Sequence, residues 1–250
     1  MMKRHIAPAL DVPDFSFPST LTSKICAIRE TFEESGLLLT DPPASTIPNF
    51  DTVAWRKKVH DDASQFKVMC DAFHLRPAVE HLVPFANWIT PVHEKKRYNT
   101  QFFLTVLKDK ILPTDADGEE TVQLDWFTPE QAQWHQKQIV LFPPQFYCLY
   151  LMQQYPDYRD LAAKAGVGSL RTHDGHVVPT LPQIGKTESD DPMAKDGYHA
   201  FLAYPGDAEY VAPNISRKPG QKHRLYFRKQ MQDLVVVKNL DVTDVVQAKL

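Results

Sequence analysis

Glycine, cysteine and an excess of either charge are all scarce in this 250-residue chain. Nine glycines stand against twenty prolines, so the connections are expected to be rigid and extended, with few turns through left-handed backbone. Neither GxGxxG nor GxxxxGKS/T occurs, which excludes the two glycine-rich loops that cradle phosphates with backbone N–H groups. The three cysteines, Cys26, Cys70 and Cys148, form no CxxC pair and are odd in number, a set that fits reduced core thiols far better than a disulfide framework or a zinc site. Lys and Arg number 28 against 31 Asp and Glu; a protein held to nucleic acid by its phosphates carries a clear basic excess, so nucleic acid is not expected as a main partner. No apolar run approaches the roughly 18 residues of a bilayer span, and Met1-Met2-Lys3-Arg4-His5 leads into no signal-like apolar stretch. An intracellular protein without a membrane span is expected.

What is present reads as an alternation of helices and strands. Prolines 8, 13 and 18 break up residues 1–20. A helix then starts among the hydroxyl caps of residues 19–23 and stops at Ser35-Gly36, with Gly36 as the C′ residue. Leu37-Leu38-Leu39 is a short strand or exit segment. Residues 51–85 carry a helical pattern with Asp51 as cap, apolar positions Val53, Val59, Phe66, Met69 and Phe73, and divisions at Pro77 and Pro84. Strands are expected at residues 88–90, 98–107 and 121–127, and helices from Thr128-Pro129-Glu130, after Pro143-Pro144, and over residues 157–165. Residues 166–197 are rich in turns, and strands are expected near 200–204, 225–227 and 234–237. Trp126 and Trp134 are expected in the core.

One segment speaks about chemistry. On the first helix, at about 100° per residue, Glu30, Glu33 and Glu34 share an arc of roughly 100°, while Leu21, Ile25, Ile28 and Phe32 gather opposite. Like charges at i, i+3 and i+4 repel, so a compensating cation is expected. Arg29, four residues before Glu33, supplies part of it, and three converging carboxylates also suit a hard divalent cation. A solvated acidic helix face would show the same spacing.

The residue identities add to that spacing. Arg29-Glu30-Thr31-Phe32-Glu33-Glu34-Ser35-Gly36-Leu37 resembles the second half of the Nudix box, REUxEExGU, departing only at Thr31, where a bulky apolar residue is usual. Further stretches resemble the coenzyme A diphosphatase branch of the Nudix superfamily, which carries a long insertion within the box. They include Val79-Glu80-His81-Leu82-Val83-Pro84-Phe85-Ala86-Asn87-Trp88, Arg97-Tyr98-Asn99-Thr100-Gln101-Phe102-Phe103, Trp126-Phe127-Thr128-Pro129-Glu130, Leu141-Phe142-Pro143-Pro144 and Pro205-Gly206-Asp207. The first half of the box does not match, since Leu21 and Phe15 stand at its glutamate and glycine positions.

The resemblance implies an α/β (α+β) fold, a Nudix-type α/β/α sandwich with a mixed sheet. It places a partial Nudix domain at residues 1–165, with its N-terminal strands absent and a helical insertion at about 50–87, and a C-terminal extension at 166–250 packed on it. It further implies a metal-dependent hydrolase of the diphosphate in coenzyme A or acyl-coenzyme A, yielding 3′,5′-ADP and a 4′-phosphopantetheine species. Glu30, Glu33 and Glu34 would hold Mg²⁺ or Mn²⁺, Arg29 would orient them, and Glu120 would supply a further acidic group as ligand or general base. A solvated acidic turn is the other reading of residues 115–120. NADH or another nucleoside diphosphate derivative is an alternative substrate, and a truncated, non-catalytic Nudix-like protein an alternative outcome.

Two further sites are expected. Lys95-Lys96-Arg97 offers charge for the phosphates of such a substrate, although basic turns between strands are commonplace. Ala248-Lys249-Leu250 is similar to the S-K-L peroxisomal address, which implies an import receptor as partner and the peroxisome as location. His173 and His176 lack nearby ligands and read as part of a turn.

Overall fold

The computed structural model describes residues 20–107, 125–134, 140–164, 177–213, 215–229 and 233–240. Glu120, His173, His176, Ala248, Lys249 and Leu250 lie outside these residues, as does most of the strand expected at 121–127; residues 125–127 carry no regular structure.

Helix α1 spans Thr20–Ser35. Ile28 and Phe32, one turn apart, are fully buried, and Gly36 ends the helix at φ +73°, where a side chain is strained. Leu21, expected on the apolar face, is 55% exposed because it lies in the first turn, outside the packed length. Helix α2 (Thr52–Asp61) is capped by Asp51, which accepts from the Ala54 N–H at 3.0 Å. Its buried residue is Val59; Val53, expected on the same face, is 79% exposed. Helix α3 (Gln65–Ala72) contributes Phe66, Met69 and Cys70. Together these residues form one core with Ile28 and Phe32, and α2 and α3 pack on the apolar face of α1.

The helical pattern stops well before residue 85. Strands β1 (Thr40–Asp41) and β2 (Arg76–Pro77) pair antiparallel, and β3 (Val83–Ile89) pairs antiparallel with β4 (Asn99–Leu104). The physical reason lies in Pro77 and Pro84, which cannot donate within a helix. Pro84 is tolerated in β3 because the register shifts between Pro84 and Ala86, a bulge where a missing donor costs little. The helical part of the expected insertion is thus confined to α2 and α3.

Three short helices follow, α4 (Pro129–Trp134), α5 (Pro143–Gln153) and α6 (Tyr158–Lys164). Trp126 belongs to no core: it is 71% exposed. Strands β5 (Gln183–Lys186), β6 (Ala200–Ala203), β7 (His223–Phe227) and β8 (Val235–Lys238) form an antiparallel meander, with α7 (Pro192–Lys195) between β5 and β6. This sheet is covered on both faces, as its alternation dictates. Leu202, Tyr204 and Leu225 face β3, α5 and α6, while Phe201, Ala203 and Tyr226 point into a second cluster with Tyr198 and Tyr210. Gly185 is required there, since a Cβ would lie 2.4 Å from the Phe201 ring.

The result is a mixed α/β protein of helices and antiparallel sheets. Among the described residues the parallel element expected of a mixed sheet is one bridge, Trp88 to Thr180, in which Ile89 N–H donates to Thr180 and Thr180 N–H to Asn87, both at 2.9 Å.

Candidate active site

The last two turns of α1 concentrate charge. The Arg29 guanidinium bonds both to the Glu30 carboxylate and to the Glu33 carboxylate. Burial opposes the charged guanidinium, but the bonds to Glu33 and Cys26 and the charges of Glu33 and Glu30 outweigh it and raise its pKa. The cation expected beside the glutamates is therefore Arg29, shared by two of them. Glu33 is buried, Glu30 is half exposed at the side chain, and Glu34 is exposed. Three carboxylates expected to share one face thus differ in environment. Cys70 and Cys148 are buried as expected, but Cys26 is exposed, because it lies on the charged side of α1; it places its sulfur 3.8 Å from Arg29 Nη2 and 3.9 Å from Glu30 Oε1.

The backbone of this turn is also held. Gly36 N–H donates to Phe32 O at 2.9 Å, and Ser35 Oγ donates to Thr31 O at 2.6 Å. The Glu33 and Glu34 carbonyls accept from Arg56 of α2, at 2.7 Å from Nε and 2.5 Å from Nη2. Nothing in the sequence marked Arg56; it stands in a basic run, Arg56-Lys57-Lys58, that reads as an ordinary solvated face.

Carboxylate oxygens are the donors a hard divalent cation takes, and two of them already converge on one cation, so the residues fit a metal in type and charge. Among the described residues no three His, Cys, Asp or Glu side chains are gathered closely enough to hold one. A metal shared by Glu30, Glu33 and Glu34 therefore requires these side chains to turn toward each other and Arg29 to yield part of its hold.

Lys95 and Lys96 are exposed on the loop joining β3 and β4. Arg97, beside them, donates from Nε to Thr90 O at 3.0 Å and so helps close the hairpin.

A second, buried polar cluster lies at the start of β7, with His223 on one face of the C-terminal sheet and Arg224 on the other. Asp207, with no exposed surface, accepts from Arg224 Nε at 2.7 Å and Nη2 at 2.6 Å and from the N–H groups of His223 and Glu209. His223 bonds through Nδ1 to Pro205 O at 2.7 Å and through Nε2 to the Tyr147 hydroxyl. The only sequence signal was Pro205-Gly206-Asp207; its partners are brought to it by β7. A narrow cavity beside this cluster, with room for about one water molecule, is lined by Asn87, Trp88, Tyr147, Tyr204 and His223. That is too small for a nucleotide.

Comparison with known proteins bears on the carboxylate turn. A family model, the NUDT19 Nudix domain, matches residues 7–152. The acyl-coenzyme A diphosphatase NUDT19 of Gallus gallus is 32% identical over 219 residues, which cover 78% of this chain and 55% of that protein. Its Homo sapiens counterpart is 31% identical over 161 residues, covering 58% and 43% of the two chains. The putative nudix hydrolase 7 of Caenorhabditis elegans is 27% identical over 199 residues, covering 78% and 60%. The chain spans about half the length of the curated relatives it matches, and no solved structure matches it significantly. With the family model spanning more than half of its residues, including all of α1, the chain belongs to the NUDT19 Nudix domain family.

Proposed function

We propose that this chain is a metal-dependent Nudix diphosphatase that hydrolyses coenzyme A or acyl-coenzyme A to 3′,5′-ADP and (acyl-)4′-phosphopantetheine. The observation that carries the reading is the turn at Glu30, Glu33 and Glu34, with Arg29 bonded to two of the three carboxylates, in a family whose relatives are named acyl-coenzyme A diphosphatases. Mg²⁺ or Mn²⁺, when bound, supplies Lewis-acid polarisation of the diphosphate and a lowered pKa for the attacking water. The protein's part is to hold and orient. Glu30, Glu33 and Glu34 are the metal ligands, and Arg29 fixes the first two and balances their repulsion before the metal arrives. Gly36, in left-handed backbone, turns the chain away and leaves the carboxylate face open. Glu120 is the candidate general base.

Lys95, Lys96 and Arg97 are the candidate contacts for the 3′-phosphate that distinguishes coenzyme A from a plain adenine dinucleotide; the exposure of the two lysines suits a late, solvent-facing contact. Ala248-Lys249-Leu250 is the proposed peroxisomal address, read by the import receptor. No helix among the described residues is long and apolar enough to cross a membrane.

The test is to incubate the purified chain with acyl-coenzyme A, free coenzyme A and NADH, with and without Mg²⁺, and to identify products by chromatography. Metal-dependent release of 3′,5′-ADP is expected. Cleavage of NADH alone would replace the substrate in this reading, and a cooperatively folded chain that cleaves none of the three would remove the enzymatic reading.

A further inference from the structure

The carboxylate turn sits at the least favourable place on its helix. The C-terminal end of α1 carries the negative pole of the helix dipole and its unpaired carbonyls. Glu33 and Glu34 add two carboxylates there, and α1 has no basic residue in its last turn. Left to itself this turn would fray, and the glutamates would lose their mutual geometry. Within α1 and its exit, Gly36 N–H covers the Phe32 carbonyl and Ser35 Oγ the Thr31 carbonyl. The carbonyls of the two glutamates themselves are covered from outside the helix, by the Arg56 guanidinium.

We infer that Arg56 is a positioning residue of the glutamate turn, acting from α2 to hold Glu33 and Glu34 in register for the metal; this rests on the reading of the turn as a metal site. The fork geometry of the guanidinium matters, because Nε and Nη2 serve two successive carbonyls at once. Glu33 is thereby held at both ends, with its carboxylate on Arg29 and its carbonyl on Arg56. Arg56 is itself mounted rigidly. Asp51 caps α2 at 3.0 Å, and Val59, three residues beyond Arg56 and fully buried, shares the core with Ile28 and Phe32. The positive charge that α1 lacks at its own C-terminus thus arrives from a helix locked to its opposite face.

The test compares Arg56→Ala and Arg56→Lys with Lys57→Ala, an exposed neighbour on the same helix, in the full chain. Amide hydrogen exchange reads the geometry independently of activity. Arg56→Ala is expected to speed exchange at Ser35, Gly36 and Leu37 while Ile28 and Val59 stay protected. Mn²⁺ affinity, followed by the paramagnetic resonance of free Mn²⁺, and kcat are each expected to fall roughly 10–100-fold, as for other groups that orient metal ligands, with little change in KM. Arg56→Lys should recover only part of both, since one ammonium cannot serve two carbonyls as a fork. Millimolar guanidinium should partly rescue Arg56→Ala and leave Lys57→Ala unchanged. Unaltered local exchange in Arg56→Ala, or altered exchange with Mn²⁺ affinity and kcat at wild-type values, overturns the inference. If the wild-type chain neither binds Mn²⁺ nor hydrolyses substrate, the functional reading fails instead, and the exchange result still decides whether Arg56 holds the turn.

Discussion

Lowering the pH toward 5 should loosen the C-terminal half of the protein through a single buried imidazole. His223 is 2% exposed. Its Nδ1 faces the Pro205 carbonyl, which only accepts, so the ring proton resides on Nδ1 and Nε2 accepts from the Tyr147 hydroxyl. A second proton would have to enter at Nε2, in the core, against an O–H already pointing at it. Burial pushes the imidazole pKa down from 6.5 to about 4; the bond to Pro205 opposes this, the charge of Lys238 adds to it, and the charge of Asp207 opposes it. With the folded pKa below the unfolded one, stability is complete above pH 6.5 and falls as the pH drops toward 4, because only the unfolded chain takes up the proton. At about 1.4 kcal/mol per pH unit the whole window is worth about 3 kcal/mol, of which about 2 kcal/mol is lost by pH 5.

Against its desolvation, the Lys222 ammonium and its hydrogen bonds hold the Asp191 carboxyl below the usual carboxylate range; it contributes a constant stability across this window, since that contribution is lost only as the pH falls below 3.8. The assay is urea unfolding by tryptophan fluorescence at pH 7.5 and pH 5, for the wild type and for His223→Asn, which keeps a donor near the Nδ1 position but cannot be protonated. The variant should lose about 2 kcal/mol less than the wild type between the two pH values. Equal losses in the two proteins, or a His223 imidazole titrating near 6.5 by NMR, assigned by its absence from His223→Asn, would refute the reasoning.

Arg224→Met should cost about 3–5 kcal/mol in the same unfolding assay, because it strands the Asp207 carboxylate without its partner in a site that has no exposed surface; a cost below about 1 kcal/mol would mean that the pair is poorly coupled. Phe32→Ala should cost about 3–5 kcal/mol by opening a cavity between α1, α2 and α3, whereas Val53→Ala, at a position 79% exposed, should stay within about 0.5 kcal/mol of the wild type.

How far the sequence discloses this molecule depends on the range of the interactions. Helix α1 was legible from Ser35-Gly36 and the spacing of Ile28 and Phe32, since propensity, capping and periodicity agree there. The carboxylate turn was legible for the same reason, as all of its acidic side chains and Arg29 fall within six residues. Strand β3 was misread over its first residues because Pro84 looks like a break in a helix, and only its partner β4 turns that break into a bulge. Val53 and Trp126 were expected inside because they are apolar, yet which apolar residues find partners is settled by tertiary packing. Arg56 reaches across 22 and 23 residues to its carbonyls, and Arg224 across 17 to Asp207. No local pattern encodes such pairs.

The central claim, that Glu30, Glu33 and Glu34 hold the metal that serves diphosphate hydrolysis, is tested most directly by Glu33→Gln, a change that keeps the shape and removes the charge. Measured side by side with the wild type, with melting to verify the fold, this variant should bind Mn²⁺ at least about 10-fold more weakly and hydrolyse acyl-coenzyme A about 100-fold more slowly. Metal-dependent hydrolysis at the wild-type rate in folded Glu33→Gln would contradict the account.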